Sequence, residues 1–250
     1  MGAQVIARTT DQNIVATTNR LGRGRIFFST DVLELHAPAR TTDLGRMVYG
    51  SFLDWAGVKR PILDPPSPWI HLFYSKTQQD DELVTVVNRD DSTPLQQVHF
   101  TTRAGSARLD VAQKMAGAIA ITAKGDIQSI ETSGIAEVRN EAYCQTKTHV
   151  MVFSLGQKDI RDSDTLCLLP MGEGKVRIRN RAFTNSGQFQ VGEFRGGEWT
   201  SLEDGRLSVE SGWLELDVTR DRNLSIILMS SPGNIARARE QLTKLLDFKP

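Results

Sequence analysis

Between Trp69 and Met229 the chain is written in short apolar runs broken by Gly, Asn, Asp and Pro about every ten residues, the rhythm of an all-β sandwich. The runs that predict strands are Trp69–Tyr74, Leu83–Asn88, Gln96–Thr101, Ala118–Thr122, Ile127–Glu131, Ile135–Arg139, Val150–Ser154, Thr165–Leu169, Lys175–Asn180, Gln188–Phe194, Leu207–Glu210, Trp213–Val218 and Leu224–Met229. In Trp213-Leu-Glu-Leu-Asp-Val218, Leu214, Leu216 and Val218 share one face while Glu215 and Asp217 share the other, the period of a half-buried strand. Glu203-Asp-Gly205 has the chemistry of a hairpin turn. From Ser231 to Lys249 the period lengthens, and Ile235, Ala238, Leu242, Leu245 and Leu246 fall on the stripe of a closing helix.

The first sixty residues follow a different grammar. Val5–Arg8 and Ile14–Thr18 are β-type runs, Gly22-Arg-Gly24 is a turn, and Arg25–Ser29 has the length and apolarity of a buried strand. Leu44, Met47, Val48, Ser51, Phe52 and Trp55 then share one helical face, with Thr42 placed to cap the start and Gly57 to close the end. One buried strand and one amphipathic helix cannot cover each other, so the segment is expected to be the closing part of an α/β domain whose parallel sheet lies outside the chain.

The run Ile14-Val-Ala-Thr-Thr-Asn-Arg-Leu-Gly-Arg-Gly-Arg-Ile-Phe-Phe-Ser-Thr-Asp31, followed by Val48-Tyr49, Ala56-Gly-Val58 and Pro61, resembles the end of the glutamine-amidotransferase-like domain of bacterial glycoside hydrolases. That domain is best known as the trimerisation domain of the family 42 β-galactosidases. The resemblance covers residues 12 to 61 and implies a catalytic TIM barrel first, the α/β domain second and β-sandwich modules last. It therefore places the catalytic carboxylates in a barrel outside these residues, so no active-site residue carries over. It also implies association, with copies of the chain or with the missing barrel, through residues 1–60.

The expected fold is thus mainly β: a partial α/β segment at 1–60, a first β-sandwich at 61–156, and a second at 157–250 closed by the helix. Pro61, Pro65, Pro66 and Pro68 form a stiff connector before the first sandwich, and Gln157–Asp164 reads as a polar join before the second. Val86–Val98 echoes Ile178–Val191, each a strand, an Asn-Arg turn and a returning strand, which chance explains better than duplication does.

At 250 residues the chain can bury a sizeable core. Thirty Lys plus Arg balance thirty Asp plus Glu, which leaves no net field for nucleic acid or anionic lipid. No apolar run approaches the roughly 20 residues of a membrane span. The compartment stays open, cytoplasmic or exported. The two cysteines, Cys144 and Cys167, are expected to be unlinked packing residues.

Motifs for dinucleotide, phosphate, zinc-peptidase or nucleophile-elbow chemistry do not occur, and no cofactor is expected. His36, His71, His99 and His149 have no ligand spacing, and His71, between Trp69 and Phe73, reads as structural. Asp31 and Glu34 read as a turn cap and a solvated carboxylate. Asp80-Asp-Glu82 and Asp90-Asp91 lack the alternation of a calcium loop, so no metal site is expected. Glutamine hydrolysis needs a cysteine at an elbow, and residues 12 to 61 have none. The candidate binding residue is Trp199, whose neighbours Gly196 and Gly197 could leave its ring open to stack on a sugar.

The expected function is a non-catalytic accessory and assembly region of a multi-domain glycoside hydrolase. The alternatives are a self-contained carbohydrate-active hydrolase using carboxylates in a sandwich cleft, or a free-standing adhesion or scaffolding protein.

Overall fold

The computed structural model describes residues 4–8, 10–21, 24–29, 61–65, 67, 69–156, 158–183, 189–195, 198–201, 207–218 and 225–246. The helix expected over 42–57, together with Asp31, Glu34 and His36, lies outside them, as does the Glu203–Gly205 turn. The chain divides into two units, Met1–Arg60 and Pro61–Pro250.

In the first unit β1 (Gln4–Arg8), β2 (Ile14–Leu21) and β3 (Gly24–Ser29) form an antiparallel meander in the order β1-β2-β3. Gln12, at φ 67°, makes the first turn, and its carbonyl accepts from Arg8 Nη1 at 2.8 Å. The strand expected over Arg25–Ser29 is present, but β2 borders it antiparallel, and Ile26 is 47% exposed.

The second unit is two antiparallel sheets around one core. A seven-stranded sheet runs β17-β18-β14-β11-β10-β7-β6, and a nine-stranded sheet runs β16-β15-β19-β13-β12-β9-β8-β5-β4. Their strands in chain order are β4 (Ile70–Lys76), β5 (Glu82–Asn88), β6 (Leu95–Thr102), β7 (Gly105–Ala112), β8 (Ala116–Ile121), β9 (Ile127–Thr132), β10 (Ile135–Val138), β11 (Glu141–Thr146) and β12 (Val150–Ser154). After a 3-10 turn at Ile160–Asp162 come β13 (Thr165–Pro170), β14 (Gly174–Arg179), β15 (Gln190–Arg195), β16 (Glu198–Ser201), β17 (Leu207–Glu210), β18 (Trp213–Val218) and β19 (Ser225–Ser230). The inner residues of both sheets, from Val84 and Val86 through Leu109, Ile119 and Ile130 to Leu214, Leu216 and Ile227, form one continuous cluster.

Helix α1 (Ile235–Leu246) lies on the outer face of the nine-stranded sheet. Its Ile235, Ala238 and Leu242 pack on Cys167, Ile226 and Leu228. β19 is therefore covered on both faces, which is why Ser225-Ile-Ile-Leu-Met-Ser230 lacks polar alternation and all six residues are buried.

The join expected between sandwiches at 156 and 157 is corrected: 61–250 is one sandwich. β12, before that point, pairs with β13 after it, and β11 pairs with β14. The segment 157–164 is polar without being a linker, because its acid serves as an internal tie. Asp159 is buried, its Oδ2 accepting from Ile127 N and from Tyr143 Oη, each at 3.1 Å, on strands of opposite sheets. β16 and β17 belong to different sheets.

Candidate functional site

The register of the nine-stranded sheet sets residues of its outer face side by side in rows. Phe73, Thr85, Ala118, Glu131, Met151 and Leu169 form one row, and Ser75, Leu83, Ala120, Ser129, Phe153 and Cys167 the next. Where this face meets α1 there is a groove of about 780 Å³ lined by Ser129, Met151 and Phe153 from the sheet, Leu155 just after β12, and Gln241 and Lys244 from the helix.

Beside the groove is a hydrogen-bonded chain of three residues that no sequence motif announces. The β9–β12 pairing of Thr132 with Val150 brings Ser133 next to His149. Ser133 Oγ lies 2.8 Å from His149 Nδ1, and His149 Nε2 lies 2.8 Å from Glu131 Oε1. The His149 side chain is only 7% exposed. A serine, a base and an orienting acid are the parts of a nucleophilic triad. Acyl transfer also needs amide donors aimed at a developing oxyanion. Here the amides around the serine are engaged: Ser133 N donates to Asp110 O at 2.8 Å, Gly134 N to Thr132 Oγ1 at 3.2 Å, and Ile135 N to Asp110 Oδ2 at 3.0 Å. As built, the chain fastens the end of β9 to the start of β12.

Several of the described acidic residues are likewise spent on structure. Asp159 Oδ1 accepts from Arg161 N at 2.9 Å and Arg161 Nε at 3.1 Å, and the same arginine pairs with Glu141 and lies 4.3 Å over the Tyr143 ring. Burial, then the Asp159 charge, pushes the Tyr143 phenol above its ordinary range. In the Asp80–Glu82 cluster, Asp80 pairs with Lys76 at 2.9 Å and with Arg103, Asp81 accepts from Ala123 N at 2.9 Å, and Glu82 accepts from Arg103 N at 3.1 Å. Asp90 accepts from the Ser92 hydroxyl at 2.6 Å and its amide at 2.7 Å, and from Gln96 at 2.6 Å, which together hold its carboxyl at about 2.

Trp199 occupies edge strand β16 opposite Phe194, with ring centroids 5.2 Å apart. The Arg239 guanidinium of α1 stands 5.3 Å over the indole, and a Cβ at Gly192 would approach it to 3.3 Å. The register turns the ring towards α1, where Arg239 occupies one face. Its Nε1 is buried with no hydrogen-bond partner. Trp213 lies under Arg177 and Arg179 at 5.0 and 5.4 Å. Cys144 and Cys167 are both free and buried, and burial pushes the Cys144 thiol up to about 12. Among the described residues no group of His, Cys, Asp and Glu has the arrangement of a metal site.

Compared with protein-family models, curated proteins and solved structures, the chain matches none.

Proposed function

We propose that this chain is a non-catalytic accessory and assembly region of a multi-domain carbohydrate-degrading enzyme, of the glycoside-hydrolase kind that residues 12–61 resemble. The observation that carries the non-catalytic reading is the use made of its acids. Asp110 and Asp159 accept from backbone amides of other strands and from arginines two residues away, and Asp90 fixes its own turn. A general acid or base needs a free lone pair or proton facing substrate, and these groups are turned inward. Residues 1–60 supply association, with a catalytic partner domain or with further copies.

A second reading, a self-contained hydrolase, is favoured by the Ser133–His149–Glu131 chain beside its groove. One experiment separates them. Incubated with aryl glycosides, oligosaccharides and aryl esters, the protein should show no turnover. A rate above about 1 s⁻¹, in the ordinary enzyme range, overturns the proposal if it vanishes in Ser133→Ala or in one Asp or Glu to Ala variant. Glycan binding that survives Trp199→Ala puts the sugar surface elsewhere.

A further inference from the structure

The two sheets of the 61–250 unit turn different surfaces outward. The nine-stranded sheet packs its outer face on α1, whereas the seven-stranded sheet carries charged side chains around one tryptophan. Alternation puts Val176, Ile178, Leu214 and Leu216 in the core, so Arg177, Arg179, Trp213 and Glu215 between and beside them stand on the outer face. Register sets Glu210, Trp213 and Arg179 in one row across β17, β18 and β14, and Glu215, Arg177 and Gln145 in the next across β18, β14 and β11. Lys175 opposes Asp217 beyond them.

Trp213 is the centre of this face, with the Arg177 and Arg179 guanidiniums 5.0 and 5.4 Å from its ring centroid. The Lys175 and Arg177 side chains are 62% and 40% exposed. Glu215 is divided between them, 2.8 Å from Lys175 Nζ and 3.4 Å from Arg177 Nε, and that Nε is buried without a hydrogen bond. Arg179 donates Nη1 to Ser211 O at 2.8 Å, and among the described residues no carboxylate pairs with it. Buried donors without an acceptor are uncommon in folded chains, and a bound group is one of the things that completes them.

We infer that this face binds a neutral saccharide chain. The inference rests on the carbohydrate role proposed above and names a surface that serves it. Charge balance selects the ligand: the cations Lys175, Arg177 and Arg179 share the face with the carboxylates Glu210, Glu215 and Asp217, which leaves no net field for an anionic polymer. What the face has is donors and acceptors side by side around a flat ring. A sugar hydroxyl both donates and accepts, so it meets a guanidinium and a carboxylate at once. The Gln145 carboxamide, whose Oε1 accepts from Arg177 Nη1 at 3.3 Å, adds donors of its own. The indole and the guanidiniums beside it supply flat surface for the C–H face of a sugar ring. Strands lie about 4.8 Å apart, so the four from β17 to β11 span about 14 Å, a length that an oligosaccharide fills and a single sugar does not.

Calorimetric titration of the full chain with β-linked galacto- and gluco-oligosaccharides, tetramers to hexamers, should show binding whose affinity is the same at low and high salt. Arg179→Gln should weaken it by about tenfold or more, the loss of a charged hydrogen-bonding group, with the circular dichroism unchanged. Lys175→Ala, a change at an exposed position that the fold does not need, should weaken it as well. Trp199→Ala should leave the affinity as it was, because that ring belongs to the other sheet. No binding of these oligosaccharides, binding that both Arg179→Gln and Lys175→Ala leave unchanged, or binding of oligogalacturonate alone that high salt abolishes overturns the inference. The turnover test of the proposed function reads separately. A chain that binds here and also turns over keeps this surface and loses the non-catalytic reading, while one that does neither loses this surface and keeps that reading.

Discussion

At the scale of single residues, the buried polar side chains are the joints of the molecule. Asn88 and Asn180, both fully buried, close a strand and start a turn that carries the chain from one sheet to the other. Asn88 accepts from Asp90 N at 2.9 Å and donates to Val111 O at 3.1 Å, while Asn180 accepts from Ala182 N at 2.9 Å and donates to Ile160 O and Ser163 O. The echo between the two Asn-Arg turns is thus a shared local solution to changing sheets. Asp159 does more, because it ties both sheets to the 3-10 turn. Asp159→Ala strands a charge-assisted partner in Arg161 and leaves the Tyr143 hydroxyl without its acceptor, and is expected to lower stability by about 3 kcal/mol, read as a shift of the urea midpoint. Asp90 gives a pH signature. Its folded carboxyl, at about 2, lies below the unfolded value of about 3.9, so its contribution is complete above the unfolded value and is lost as pH falls towards 2. Urea midpoints between about pH 5 and 2 should therefore fall less steeply in Asp90→Asn than in the parent chain.

At the scale of elements, the strands legible in the sequence are those with apolar alternation or continuous burial, such as β5, β13, β18 and β19. Three strands were not legible. β7 contains Arg108 and Asp110, whose mutual pairing at 3.1 Å hides their charge only once β10 lies alongside. β11, Glu141-Ala-Tyr-Cys-Gln-Thr146, is mostly polar, and β16 is short and follows Gly196-Gly197. The Ser133–His149–Glu131 chain was illegible for the same reason that strand neighbours are: Ser133 and His149 meet through register, which spacing along the chain does not encode. Trp199 was legible as an aromatic at an edge, but its orientation depends on α1. Its role as a wedge under that helix gives an element-scale prediction. Trp199→Ala removes the contacts with Phe194 and Arg239 and should destabilise the protein by about 2 kcal/mol, less than for a fully buried tryptophan, with the thermal midpoint as readout.

At the scale of the whole molecule, the division read at 156 and 157 failed because a local run of polar residues looks like a linker whether its acids face water or tie two sheets together. The fold class held, since it rests on a rhythm repeated along most of 61–250. The uneven layering of that unit has a further consequence. α1 covers the nine-stranded sheet over β13, β19 and β15, so the amides of β13 and β19 are shielded by a layer on each side. Protection against hydrogen exchange follows the cost of opening, and these strands can open only when helix and core part together. In deuterium the amides of Leu166–Leu168 and Ile226–Met229 should exchange last, at the rate of global unfolding, while β16 and β17 exchange through local fraying. The molecule would then carry a clock graded from its short rims to the strands beneath α1, and exchange of Ile226–Met229 ahead of the rims would contradict that order.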